Sequence, residues 1–139
     1  MTAKLITPPS VEPITLEEAK IFLRIDTNEE DSLISSLISA ARMYAEKYTC
    51  RSFLTQEWEL SKKVIAEKVY LPYPPVEGVV LVSVDGNFID DYRYTLVGED
   101  TLYFVSPIRS VTPGGIVIRY AAGYGNVPED VPRDIRQAI

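Results

Sequence analysis

Eight apolar residues, Leu33, Ile34, Leu37, Ile38, Ala41, Tyr44, Ala45 and Tyr48, recur at the spacing of an α-helix. At about 100° per residue they fall within an arc of roughly 140°. The opposite side carries Ser35, Ser36, Ser39, Arg42, Met43 and Glu46. A stripe of this kind, sustained over about five turns, predicts a helix with its apolar side in a core and its polar side outward. Little else in the chain constrains the fold as strongly.

A shorter helix precedes it. Thr15-Leu16-Glu17-Glu18 has the form of a capping box, in which Thr15 accepts from the Glu18 amide and Glu18 reaches back to the Thr15 amide. Leu16, Ala19, Phe22 and Leu23 follow at helical spacing, and the helix is expected to stop near Arg24 or Ile25. Thr27 with Glu30 fits a second box, and Glu29, Glu30 and Asp31 place negative charge at the start of the next helix. Cys50 is expected to end that helix. The Pro-rich segment before residue 15 reads as extended.

From Phe53 the period changes to two. Gln56, Trp58 and Leu60 share one parity against Thr55, Glu57 and Glu59. Strands are expected at Val69–Leu71, Val79–Val84, around Tyr94 and Leu96, at Thr101–Val105 and at Ile116–Ala121. Asp85-Gly86-Asn87 reads as a hairpin turn with positive φ at Gly86. Val131-Pro132-Arg133-Asp134-Ile135 reads as the start of a last helix, with Pro132 in its first turn. The expected class is α+β: a helical pair over 15–50, an antiparallel β meander or small barrel over 53–122, and a C-terminal helix over 130–139 that looks cut short. The length of 139 residues suits one domain over 1–139.

Composition narrows the chemistry. There is no histidine, which removes the commonest general base and metal ligand. The one cysteine, Cys50, permits no internal disulfide and has no histidine to activate it. The acidic pairs at Glu17-Glu18 and Glu29-Glu30-Asp31 are helix-start charges, and Asp90-Asp91 and Glu99-Asp100 fall at expected turns. Asp90-Asp91 lacks the spacing of a calcium loop. Gly123-Tyr124-Gly125 lacks the third glycine of a dinucleotide loop. No catalytic, cofactor-binding or metal-ligating residue is therefore assigned, and no cofactor is expected. The net charge of −6 is spread without a basic patch of the kind that grips nucleic acid. No run of apolar residues approaches bilayer length and no signal-peptide core is visible, so a soluble protein made in the bacterial cytoplasm is expected.

Several segments carry a resemblance. Leu16-Glu17-Glu18-Ala19-Lys20, Leu23-Arg24-Ile25-Asp26 and Glu30-Asp31-Ser32-Leu33-Ile34 resemble the opening of tailed-phage head–tail connector proteins. These are also called head-completion or adaptor proteins and include prophage connector-like proteins. The similarity continues through Ala40-Ala41-Arg42, Ala45-Glu46, Tyr48-Thr49-Cys50-Arg51 and Thr55-Gln56-Glu57-Trp58. It returns at Leu71-Pro72, Pro75-Val76, Tyr120-Ala121-Ala122-Gly123-Tyr124-Gly125, Val131-Pro132 and Ile135-Arg136-Gln137-Ala138-Ile139. Cys50 departs from the pattern, which has glycine at the helix end.

The resemblance implies a non-enzymatic structural protein at the head–tail interface of a virion. It implies a homo-oligomeric ring of about a dozen subunits docked on a portal protein, with a tail or stopper protein beyond. Genomic DNA would pass through the lumen without specific binding, and no membrane is involved. Candidate subunit or partner contacts are Ser39, Arg42, Met43 and Glu46 on the polar helix face and Asp85, Gly86 and Asn87 at the hairpin. The alternatives are a small β-barrel module in a bacterial host that binds a peptide or nucleic acid, and an enzyme using paired carboxylates.

Overall fold

The protein was analysed as a computed structural model that describes residues 3–138. Met1, Thr2 and Ile139 belong to the outer segments of the expected domain and lie outside the described residues. The elements follow in the order β1 (Ala3–Thr7), α1 (Leu16–Leu23), α2 (Asp31–Thr49), β2 (Gln56–Lys62), β3 (Val64–Ile65), β4 (Lys68–Tyr70), β5 (Val76–Val84), β6 (Asn87–Phe88), β7 (Tyr94–Val97), β8 (Thr101–Phe104), β9 (Ile108–Arg109), β10 (Ile116–Ala122) and α3 (Arg133–Ala138).

The class is α+β, and the sheets do not close. One sheet has the order β1-β2-β10-β5-β6, a second pairs β3 with β9, and a third has the order β4-β8-β7. All pairings are antiparallel. The order is not a simple meander, because β10 returns to lie between β2 and β5. Nor is it a barrel, since β1 and β6 remain as edges of the large sheet.

The period-two reading of the strands survives in the packing. Along β10, Ile116, Ile118, Tyr120 and Ala122 are buried and alternate with Val117, Arg119 and Ala121. They meet Leu60 of β2, Val82 of β5 and Leu102 of β8 in one core. Burial pushes the Tyr120 hydroxyl above its usual titration range, and it donates to the Pro72 carbonyl. Asp85 and Gly86 both have positive φ, 53° and 86°, the geometry of a two-residue hairpin turn.

The first capping box forms as its residues predict. Glu18 N donates to Thr15 Oγ1 at 3.1 Å and Thr15 N to Glu18 Oε1 at 3.2 Å. The second does not form. Glu30 itself precedes α2, without a side-chain cap. Lys20 holds this turn instead, donating to Asn28 Oδ1 and Asp31 Oδ1, each at 2.9 Å. Cys50 takes the left-handed conformation usually given to glycine, φ 56° and ψ 40°, and its N–H returns to the Glu46 carbonyl. β1 was expected only as extended chain; it forms an edge strand on β2.

Candidate functional site

The long helix α2 is turned relative to its apolar stripe. Its buried residues are Ile34, Ile38, Arg42 and Glu46. Leu33, Leu37, Tyr44 and Tyr48, half of the expected core face, are exposed. On a helical wheel the buried ridge is centred roughly 90° from the centre of the apolar arc. The same holds for α1, where Ala19 is buried against Ile34 and Ile38 while Phe22 and Leu23 are exposed.

The cause is a polar network beneath α2. Arg42 Nε donates to Glu12 Oε2 at 2.6 Å, and Arg42 Nη1 donates to Glu46 Oε1 at 2.7 Å. Ser39 Oγ donates to the other Glu12 oxygen at 2.9 Å. The second oxygen of Glu46 accepts from the Phe53 backbone N–H at 2.9 Å and from Gln56 Nε2 at 2.7 Å. Gln56 is itself buried at the start of β2. Neither partner of this ion pair leaves a buried side-chain nitrogen or oxygen without a hydrogen bond, the condition under which burial of charge is tolerated. The network joins the N-terminal segment, α2 and the strand β2, and so sets the rotation of the helix.

The seven expected contact residues fall in different surroundings. Arg42 and Glu46 lie inside, and Ser39 is partly buried on Glu12, because the network draws the polar face against the sheet. Of that group only Met43 is exposed. The hairpin group also divides. Asp85 folds back onto the 110–112 segment: its Oδ1 accepts from Ser110 Oγ, Thr112 Oγ1 and Thr112 N, and its Oδ2 accepts from Val111 N. These donors hold its carboxyl well below the usual range, those from Ser110 and Thr112 most strongly. Gly86 and Asn87 stay exposed at the tip, beside the exposed Phe88.

The sequence reading missed the surface that results. Ile21, Phe22, Leu33, Leu37, Tyr44 and Tyr48 are all exposed on the two helices. Between them runs a groove of about 720 Å³, whose lining includes Phe22, Leu23, Ile34, Leu37, Ile38 and Ala41. Arg136 of α3 closes one side, donating to Glu18 and, through Nε, to the Pro13 carbonyl at 2.8 Å.

The Gly123-Tyr124-Gly125 loop also has a structural task. A Cβ on Gly123, at φ 141°, would lie 2.5 Å from the Leu54 carbonyl carbon. That close approach lets Tyr124 N donate to the Phe53 carbonyl and Thr55 N to the Gly125 carbonyl, each at 2.9 Å. Arg51 adds a hydrogen bond to Tyr124 Oη at 2.7 Å. The helix-to-sheet junction is thus clasped from both sides.

Among the described residues no three His, Cys, Asp or Glu side chains gather as a metal site. No described helix is long and apolar enough to cross a membrane. The geometry is that of a packed β core displaying an apolar helical face.

Comparison with known proteins decides the family. Residues 13–86 match the model of the phage gp6-like head-tail connector protein. The chain belongs to this head–tail connector family. The match runs from the loop before α1 to the β5–β6 turn and so contains the apolar face and, apart from Glu12, the buried network. Three solved structures share the fold. The neck of an empty GTA particle computed with C6 symmetry aligns with a TM-score of 0.81 at 21% identity, over 99% of this chain and 78% of that one. A chain in the virion of the native gene transfer agent particle gives 0.79 at 22%, over 99% and 79%. The neck of the native GTA particle computed with C12 symmetry gives 0.75 at 19%, over 99% and 78%. No curated protein matches the chain.

Proposed function

We propose that this connector acts as one subunit of a ring of about a dozen copies, docked on a portal protein at the neck of a virion. The ring continues the DNA channel, presents a platform to a tail or stopper protein, and performs no enzymatic chemistry. The carrying observation is the family match over 13–86, the segment that holds the helical face open. The fold likeness to chains in particle necks computed with C6 and C12 symmetry supports a cyclic arrangement. We take residues 1–139 as one domain, and Met43, Gly86 and Asn87 as subunit or partner contacts. Synthesis in the bacterial cytoplasm follows from a virion assembly role.

The net charge of −6 suits a channel that passes DNA without holding it. Closed rings need head-to-tail contacts between unlike faces. The direct test mixes the chain with its portal protein and images the product by electron microscopy. Rings seated on the portal are expected; failure to bind the portal contradicts the proposal. Neutralising lumen carboxylates is expected to increase DNA retention in assembled rings.

A further inference from the structure

We infer that the outward ridge of α2 is the seam on which a second copy of this chain packs in the assembled ring; this rests on the connector reading above. Leu33, Leu37, Ala40 and Tyr44 stand at the alternating four- and three-residue spacing of a helix-packing seam, and Tyr48 continues it one turn further. All five are exposed. They lie within an arc of about 80° and run about 22 Å along the helix. The small Ala40 in mid-seam admits close approach. The Tyr44 and Tyr48 rings stack at 6.5 Å with planes 15° apart, which sets them as one apolar edge.

The area fits a subunit contact. Ile21, Phe22, Leu33, Leu37, Tyr44 and Tyr48 are 78, 86, 56, 56, 74 and 81% exposed. The α2 ridge together with Ile21 and Phe22 of α1 leaves on the order of 800 Å² accessible, and a standard interface takes about 800 Å² from each partner. An isolated surface rarely leaves such a continuous apolar band uncovered.

Net charge constrains how one copy can meet the next. Each chain carries −6, so copies repel at a distance and cannot rely on opposite charge to associate. The seam suits that constraint, since Lys47 is the one charged residue interrupting its spacing. The groove beside it, about 720 Å³ between α1 and α2, accepts side chains from the neighbour. A seam that met itself would close a two-fold pair and stop growth. In a ring it must therefore meet a different face of the next copy.

The test uses the full chain with its portal protein. A photo-activated cross-linker, p-benzoylphenylalanine, replaces Leu37 or Tyr44, and assembled rings are irradiated. Adducts between copies are expected. Adducts to the portal alone, or rings without copy-to-copy adducts at either position, overturn the inference while leaving the connector reading intact. Absence of rings from the unaltered chain overturns both.

Leu37→Asp, with its fold checked by circular dichroism, is expected to lower ring yield at least tenfold. Mixed equally with the unaltered chain, it should also suppress the latter's rings, because a copy with a dead seam still offers its other face and ends growth. Unchanged yield from folded Leu37→Asp contradicts the inference. Should that variant not fold, Tyr48→Ser supplies the same reading at a more exposed position.

Discussion

The β core and the helical layer obey different rules within one chain. In the core, apolar residues are inside: Leu60, Ile116, Ile118 and Tyr120 are fully buried, each on the inward side of its strand. In the helical layer the rule is broken on both sides. Arg42 and Glu46 are buried while Leu37, Tyr44 and Tyr48 are exposed. The core finds all its partners within the chain. The helical layer finds only some of them, and the polar network beneath it turns the unsatisfied face outward.

The largest expected effect comes from breaking the network. Glu46→Ala leaves Arg42 buried with its other partner, Glu12, strands the Phe53 N–H and leaves Gln56 Nε2 with the Leu54 carbonyl alone. A loss of about 3–5 kcal/mol is expected by chemical denaturation. A loss below about 1 kcal/mol would mean that the network does not anchor the helix.

Ile118→Ala probes the core alone. It removes a fully buried side chain from the strand at the centre of the large sheet and should cost about 2–5 kcal/mol. Ring assembly of whatever folded protein remains should be unaffected, unlike that of variants at the seam. Equal assembly defects in both would erase the proposed division of labour.

Asp85 offers a smaller effect set by pH. Its carboxyl titrates lower when folded than when unfolded, because Ser110, Thr112 and Val111 donate to the charged form. A depressed carboxyl contributes stability above its unfolded pKa of about 3.9, and that contribution is lost as pH falls toward the folded value. Asp85→Asn should therefore be less stable than the unaltered chain at pH 7, with the gap narrowing below about pH 4. A gap independent of pH between 7 and 3 would contradict the assigned hydrogen bonds.

The smallest effect is the most telling for the comparison. Tyr48→Ser changes a side chain that the free chain leaves open to solvent, so its stability should shift within about 0.5 kcal/mol. A cost of core size, measured by thermal or chemical unfolding, would show that Tyr48 packs within its own chain.

These contrasts explain which parts of the fold were legible in the sequence. The Thr15–Glu18 box, the hairpin at Asp85-Gly86 and the alternation of β2 and β10 are local. Each depends on residues a few positions apart, and each forms. Cys50 was placed correctly at the helix end, although glycine is the residue that geometry favours. The rotation of α2 depends on Glu12, Phe53 and Gln56, which no periodicity connects to Arg42 and Glu46. An i,i+4 Arg–Glu pair reads on its own as a surface ion pair. The two-residue strands β3 and β9 are too short to carry a period. β1 becomes a strand only because β2 leaves an edge for it. The exposed helical face was not legible for the same reason: apolar periodicity marks what must be covered, without saying whether the cover comes from the same chain.

The most direct measurement is carbene or hydroxyl-radical footprinting of Leu37, Tyr44 and Tyr48, in the free chain and in rings assembled on the portal. The account predicts strong labelling at all three in the free chain and protection in the ring, with Ile118 protected in both. Weak labelling of Tyr44 and Tyr48 in the free chain, or labelling unchanged by assembly, would contradict it.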